Sequence, residues 1–90
     1  MLNNTEIQFN IEVWEEGNMY VSYAPQLDVS SCGKTIKEAR DNIQEAVALF
    51  FEETKKMGTF NQVLEESGFL FKNGWKSPEM ISFEKVKMVF

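Results

Sequence analysis

The chain has no histidine, one cysteine (Cys32), two prolines and, in its first 28 residues, no basic side chain. Without histidine there is no Ser-His-Asp or Cys-His nucleophile system and no imidazole to hold a metal. A lone cysteine makes neither a thiolate zinc site nor an intramolecular disulfide, as expected of a protein from a reducing compartment. The segment Met1-Leu2-Asn3-Asn4-Thr5-Glu6 has neither the basic nor the apolar stretch of a secretory leader. No apolar run approaches the ~18 residues of a membrane span. The expectation is a cytoplasmic protein without membrane contact, in which Asn3-Asn4-Thr5 matches the glycosylation pattern by chance.

What is present describes a small globular domain. Ninety residues, 43% hydrophobic and 26% charged, suffice for one domain with a single thin core, burying about 60–65% of the unfolded chain's surface. A net charge of −5 argues against a protein that binds nucleic acid by neutralising phosphates. The imbalance is local. Residues 1–28 carry five acids (Glu6, Glu12, Glu15, Glu16, Asp28), whereas residues 29–90 carry nine charges of each sign.

Residues 6–14 alternate, with Ile7, Phe9, Ile11 and Val13 against Gln8, Asn10, Glu12 and Trp14. That period predicts a half-buried strand. A turn at Glu15-Glu16-Gly17-Asn18 returns the chain as a second strand over Met19–Ala24, ended by Pro25. A three-residue loop would set Val21 and Tyr23 beside Val13 and Ile11; a two- or four-residue loop would bring Tyr20 and Ser22 there instead. The first is preferred because it gathers the more apolar set. Leu27–Cys32 supplies a short third strand, broken by Gly33.

Thr35-Ile36-Lys37-Glu38 reads as a capping box, with Glu38 reaching back to the Thr35 amide. Ile36, Ala39, Ile43, Ala46, Val47 and Phe50 then recur at helical spacing up to Gly58. Glu52 and Lys56 are spaced as an i,i+4 pair. Thr59-Phe60-Asn61-Gln62 looks like a second capping box, opening a short helix stopped by Gly68. After an aromatic-rich connection, Met80–Phe90 reads as a strand with apolar residues on both sides, covered by the core and by another chain. The predicted class is α+β, with the long helix across one face of a mostly antiparallel sheet.

The run Tyr20-Val-Ser-Tyr-Ala-Pro25-Gln-Leu27, followed by Gly33-Lys-Thr35-Ile-Lys-Glu38-Ala39 and Asn42-Ile-Gln-Glu45-Ala46, resembles the HicB-like antitoxin domain family. The resemblance covers residues 6–53. It implies a partial ribonuclease H-like β-β-β-α-β fold, non-catalytic and without cofactor. It also implies a role in toxin–antitoxin systems, blocking a small basic HicA-like toxin that cleaves RNA. The organisation expected is one domain over 1–90: a β-β-β-α core at 6–58, a short helix at 59–68, and a connection with a C-terminal strand at 69–90. Complete antitoxins of this type add a DNA-binding element. The roughly 22 residues after the short helix hold no second capped amphipathic helix, so no direct DNA or RNA binding is expected.

Candidate sites follow. Ribonuclease H chemistry needs carboxylates converging on two metals about 4 Å apart. Glu6 and Glu12 stand roughly 20 Å apart along a strand, so a solvated strand face explains them better than a degenerate nuclease does. Cys32 neighbours Lys34 and a helix N-terminus, which favours the thiolate, though most lone cysteines are inert. Gln8, Asn10, Glu12 and Trp14, beside Tyr20, form a candidate acidic partner-binding face. Trp14 is read either as an interface anchor or as a ring folded over the sheet edge. Phe51, with Leu49, widens the helix face as core or as oligomer contact. Together with Phe83, Val86, Met88 and Phe90 it is the candidate surface for a homodimer or higher oligomer. The alternative to an antitoxin is a stand-alone structural or regulatory oligomer.

Overall fold

The computed structural model describes residues 5–90, a small α+β domain. Asn3 and Asn4 of the glycosylation-like triplet lie outside them. The strands are β1 (Ile7–Gln8), β2 (Glu12–Glu16), β3 (Met19–Ala24), β4 (Val29–Gly33), β5 (Leu70–Phe71) and β6 (Trp75–Lys76). The helices are α1 (Ile36–Met57) and α2 (Phe60–Glu66). β2, β3 and β4 form an antiparallel sheet in that order; β6 lies between β1, to which it runs parallel, and β5, its antiparallel partner.

The strand expected over 6–14 is therefore two strands separated at residues 9–11. At the break, the Asn10 Oδ1 accepts bonds from Gln26 Nε2 (3.3 Å) and Ser77 Oγ (3.2 Å), tying two distant loops together.

The hairpin register differs from the preferred one. The loop has two residues, Gly17 at φ 62° followed by Asn18, a positive-φ-first pattern suited to the twist of a tight hairpin. Val13 consequently faces Ser22, and Trp14 faces Val21. A one-residue change of loop exchanges the two sides of every residue in the strand. Ser22 and Ala24, both fully buried, thus lie under α1, while Val21 and Tyr23 turn to the open side. Small residues suit this place because α1 comes close: a Cβ at Gly33 would stand 2.6 Å from the Ala39 nitrogen.

α1 is capped as its sequence predicts at one atom and not at another. Thr35 Oγ1 accepts from the Glu38 amide at 3.0 Å, but Glu38 Oε1 takes the Lys34 amide rather than that of Thr35. Its core side presents Ala39, Ile43 and Val47, while Ile36 at the first turn is exposed. Buried Thr54 is satisfied by donating to the Phe51 carbonyl at 2.9 Å. The helix ends with Gly58 and Thr59 donating to the carbonyls of Lys55 and Thr54, a Schellman ending. The ion pair formed on α1 is Lys37–Asp41 at 2.7 Å, not Glu52–Lys56.

The second capping box does not form. Thr59 makes no side-chain cap to α2; its hydroxyl donates to the Thr54 carbonyl at 3.4 Å, because it stands at the end of α1. Gln62 instead donates to Glu66 at 3.2 Å. α2 ends in a second Schellman arrangement, Gly68 and Phe69 donating to Glu65 and Leu64. Leu64 and Phe69 occupy the C3 and C″ positions whose apolar contact commonly accompanies this motif, and both are buried.

The connection after α2 contributes more than its sequence suggested. β5 and β6 form a hairpin through Lys72-Asn73-Gly74, and Trp75 enters the core with Leu27, Ile43, Val47, Leu64 and Phe69. Met80–Phe90, by contrast, forms no strand in the single chain. Pro78 has no N–H to extend the β6 ladder, and the segment beyond it is exposed throughout. No helix among the described residues is long and apolar enough to cross a membrane.

Candidate protein-binding surface

Because α1 packs on one side of the β2–β3–β4 sheet, the other side is open. Alternation places Glu12, Trp14 and Glu16 from β2, Met19, Val21 and Tyr23 from β3, and Ser30 and Cys32 from β4 on it. Trp14 sits between Val21 across the ladder and water, 43% exposed. Val21 faces Cys32, and Tyr23 faces both Glu12 and Ser30. The surface therefore has an aromatic and aliphatic centre with carboxylates at its ends.

Tyr23 extends this surface. Its hydroxyl donates to Asp28 Oδ1 at 2.8 Å. That bond, some desolvation and the charges of Asp28 and Glu12 hold its pKa above the ordinary 10.0. Asp28 reaches the hydroxyl from a turn with φ 55°, a backbone state that Asp tolerates better than most residues. The acids here come from residues 1–28, which supply no base of their own.

Of the residues expected on one face, Glu12 and Trp14 are brought together. Tyr20 is not with them: it pairs with Glu15 and Gly33, on the side facing α1. Gln8 belongs to β1 in the other sheet, where its side chain donates to Glu6 at 3.0 Å. Gln8 and Asn10 instead line a groove of about 370 Å³ with Ser77, Pro78 and Met80. Val21, Tyr23 and Asp28 are the surface residues missed from sequence. Gly17-Asn18 is one of the loops the sequence allows, and which loop forms decides the side that Val21 and Tyr23 take. The closeness of α1, which needs small Ser22 and Ala24 beneath it, selects the two-residue loop.

Cys32 is exposed on the open face, and its carbonyl accepts from Asn42 Nδ2 at 2.8 Å. Among the described residues no three His, Cys, Asp or Glu side chains gather as a metal-binding group. Phe51 is half-buried, its ring packed edge-on to Phe9 (6.4 Å) and Phe60 (5.6 Å); Leu49 is the more exposed neighbour. Phe83, Val86, Met88 and Phe90 are all at least 70% exposed.

The chain matches no protein-family model, no curated protein and no solved structure.

Proposed function

We propose that the chain is a HicB-like antitoxin module of the cytoplasm, a non-catalytic domain that binds and occludes a small basic HicA-like toxin that cleaves RNA. The observation that carries this reading is the open sheet face, where exposed Trp14 is flanked by Glu12 and Glu16, with Tyr23 and Asp28 beside them. Aromatic side chains concentrate binding energy, and carboxylates of one sign steer a cationic partner and oppose an anionic one. A face of this kind meets the phosphate-binding surface of an RNA-cleaving protein and covers it. Four strands precede α1, β1 and β2 standing where one strand was expected, and β6 then runs parallel to β1. The strands-then-helix order with that parallel pairing supports the partial ribonuclease H-like arrangement that accompanies the family resemblance.

The test is inhibition and binding of the product of a small basic reading frame next to this one. Wild type is expected to bind it and suppress RNA cleavage, with affinity falling as salt rises. Combining Trp14→Ala with Glu12→Lys should weaken binding by roughly a hundredfold, on the scale of an interface hot spot. Unchanged binding by that variant would remove the site, and no binding by wild type would remove the function.

A second reading, a stand-alone oligomeric or regulatory domain, is favoured by a separate observation. Ile81, Phe83, Val86, Met88 and Val89 are exposed in the single chain, an apolar surface that soluble monomers seldom present.

A further inference from the structure

Three features of the molecule stand unpaired together. The outer edge of β2 has no ladder partner among the described residues. Close to it, Ile7, Phe9 and Ile11 with Gln44 line an apolar groove of about 300 Å³, which adjoins another of about 280 Å³ reaching Ala48 and Phe51 on α1. The third feature is the exposed segment 81–90. We infer that the segment 81–90 of a second copy adds to the β2 edge, so that two chains exchange these segments reciprocally.

Side-chain alternation decides the fit. In extended form, Lys85, Lys87 and Val89 project to one side, with Ile81 and Phe83 further back. Val86, Met88 and Phe90 project to the other, with Glu84 preceding them, and the fit therefore concerns residues 85–90. On β2, Glu12, Trp14 and Glu16 face the open side, while Val13 faces α1. A strand added with its odd-numbered residues on the open side sets two ammonium groups beside Glu12, Glu16 and the Trp14 ring. The same placement turns Val86, Met88 and Phe90 toward Ile11 and the apolar groove. Over residues 85–90, opposite charges and cation–ring contact are satisfied on one side, which also carries Val89, and apolar burial on the other.

The chain's own segment is in the wrong phase. β6 meets β1 with Trp75 opposite Ile7 and Lys76 opposite Gln8. Continued past Lys76, that step puts Pro78 against Asn10, Met80 against Glu12 and Glu84 against Glu16. Two carboxylates would then face each other at Glu16, and Lys85 and Lys87 would fall past the end of β2, opposite Gly17 and Met19, where they leave Glu12 unpaired. A second copy carries no such constraint, since its segment is free to slide by the one residue that reverses its sides. Reciprocal exchange closes with two-fold symmetry and leaves no open end.

This inference rests on the self-association reading and not on the toxin. Its test is the mass of the full chain by light scattering across micromolar concentrations, with far-ultraviolet circular dichroism reporting the fold. Wild type is expected to be a dimer. Lys85→Glu with Lys87→Glu, and separately Glu12→Lys with Glu16→Lys, should each raise the dissociation constant by roughly tenfold or more. The four changes combined should restore the dimer. A monomeric wild type overturns both the inference and self-association. A dimer indifferent to either pair, or not restored by the combination, overturns the exchange and leaves self-association standing.

Discussion

Gly33, the last residue of β4, approaches Ala39 of α1 so closely that a Cβ on it would stand 2.6 Å from the Ala39 nitrogen, and equally close to the Glu38 Cβ. The obstacle is helix backbone, which cannot swing aside as a long side chain would. Gly33→Ala must therefore push the helix start off the sheet. A loss of about 1–3 kcal/mol, typical of overpacking, is expected in urea unfolding. An unchanged midpoint would mean that the contact yields without cost.

Ser22 is fully buried under α1, and its hydroxyl has no hydrogen-bond partner. The fold carries the desolvation of that group without a bond to offset it. Ser22→Ala should raise stability by about 1 kcal/mol. A decrease in the unfolding midpoint would indicate that the hydroxyl is satisfied in solution.

The two threonines that precede helices should respond differently. Thr35 accepts the Glu38 amide at 3.0 Å, so Thr35→Ala should cost about 1 kcal/mol. Thr59 caps nothing in α2, and Thr59→Ala should cost less than half of that, within the scatter of about 0.5 kcal/mol for surface changes. Equal losses in thermal unfolding would contradict the assignment of Thr59 to the end of α1.

Tyr23 holds its proton more tightly in the fold than in the unfolded chain, because it donates to Asp28 and faces negative charge. The stabilisation from this bond is complete below the unfolded value of 10.0 and disappears as pH rises through the higher folded value. Asp28→Gly keeps the positive φ and removes the acceptor, so Tyr23 should then ionise closer to 10.0. Ultraviolet titration of phenolate in the two proteins reads the difference directly. Coincident curves would mean that the bond is not formed in solution.

Much of the fold is legible in the residues. Thr35 and Glu38 open α1, the spacing of Ala39, Ile43 and Val47 gives its buried side, and Gly58 closes it. These signals are local: each is read within a turn or two of helix. The hairpin shows where such reading stops. Apolar content favoured Val21 and Tyr23 against the helix, yet a close helix needs the small Ser22 and Ala24 there. Tyr20 changed sides for the same reason, leaving the candidate surface to Trp14, Glu12 and the unforeseen Tyr23. Thr59 carries the sequence of a cap, but the end of α1 claimed its hydroxyl first.

Local sequence by itself determined the helices, their ends, the acidic character of residues 1–28 and the α+β class. Capping, periodicity and charge all act between neighbours along the chain. Only the tertiary structure decided the strand phase, the entry of Trp75 into the core and the exposure of residues 81–90. Those depend on how near α1 lies to the sheet and on where the β6 ladder ends at Pro78, distances between residues far apart in sequence that no local pattern encodes.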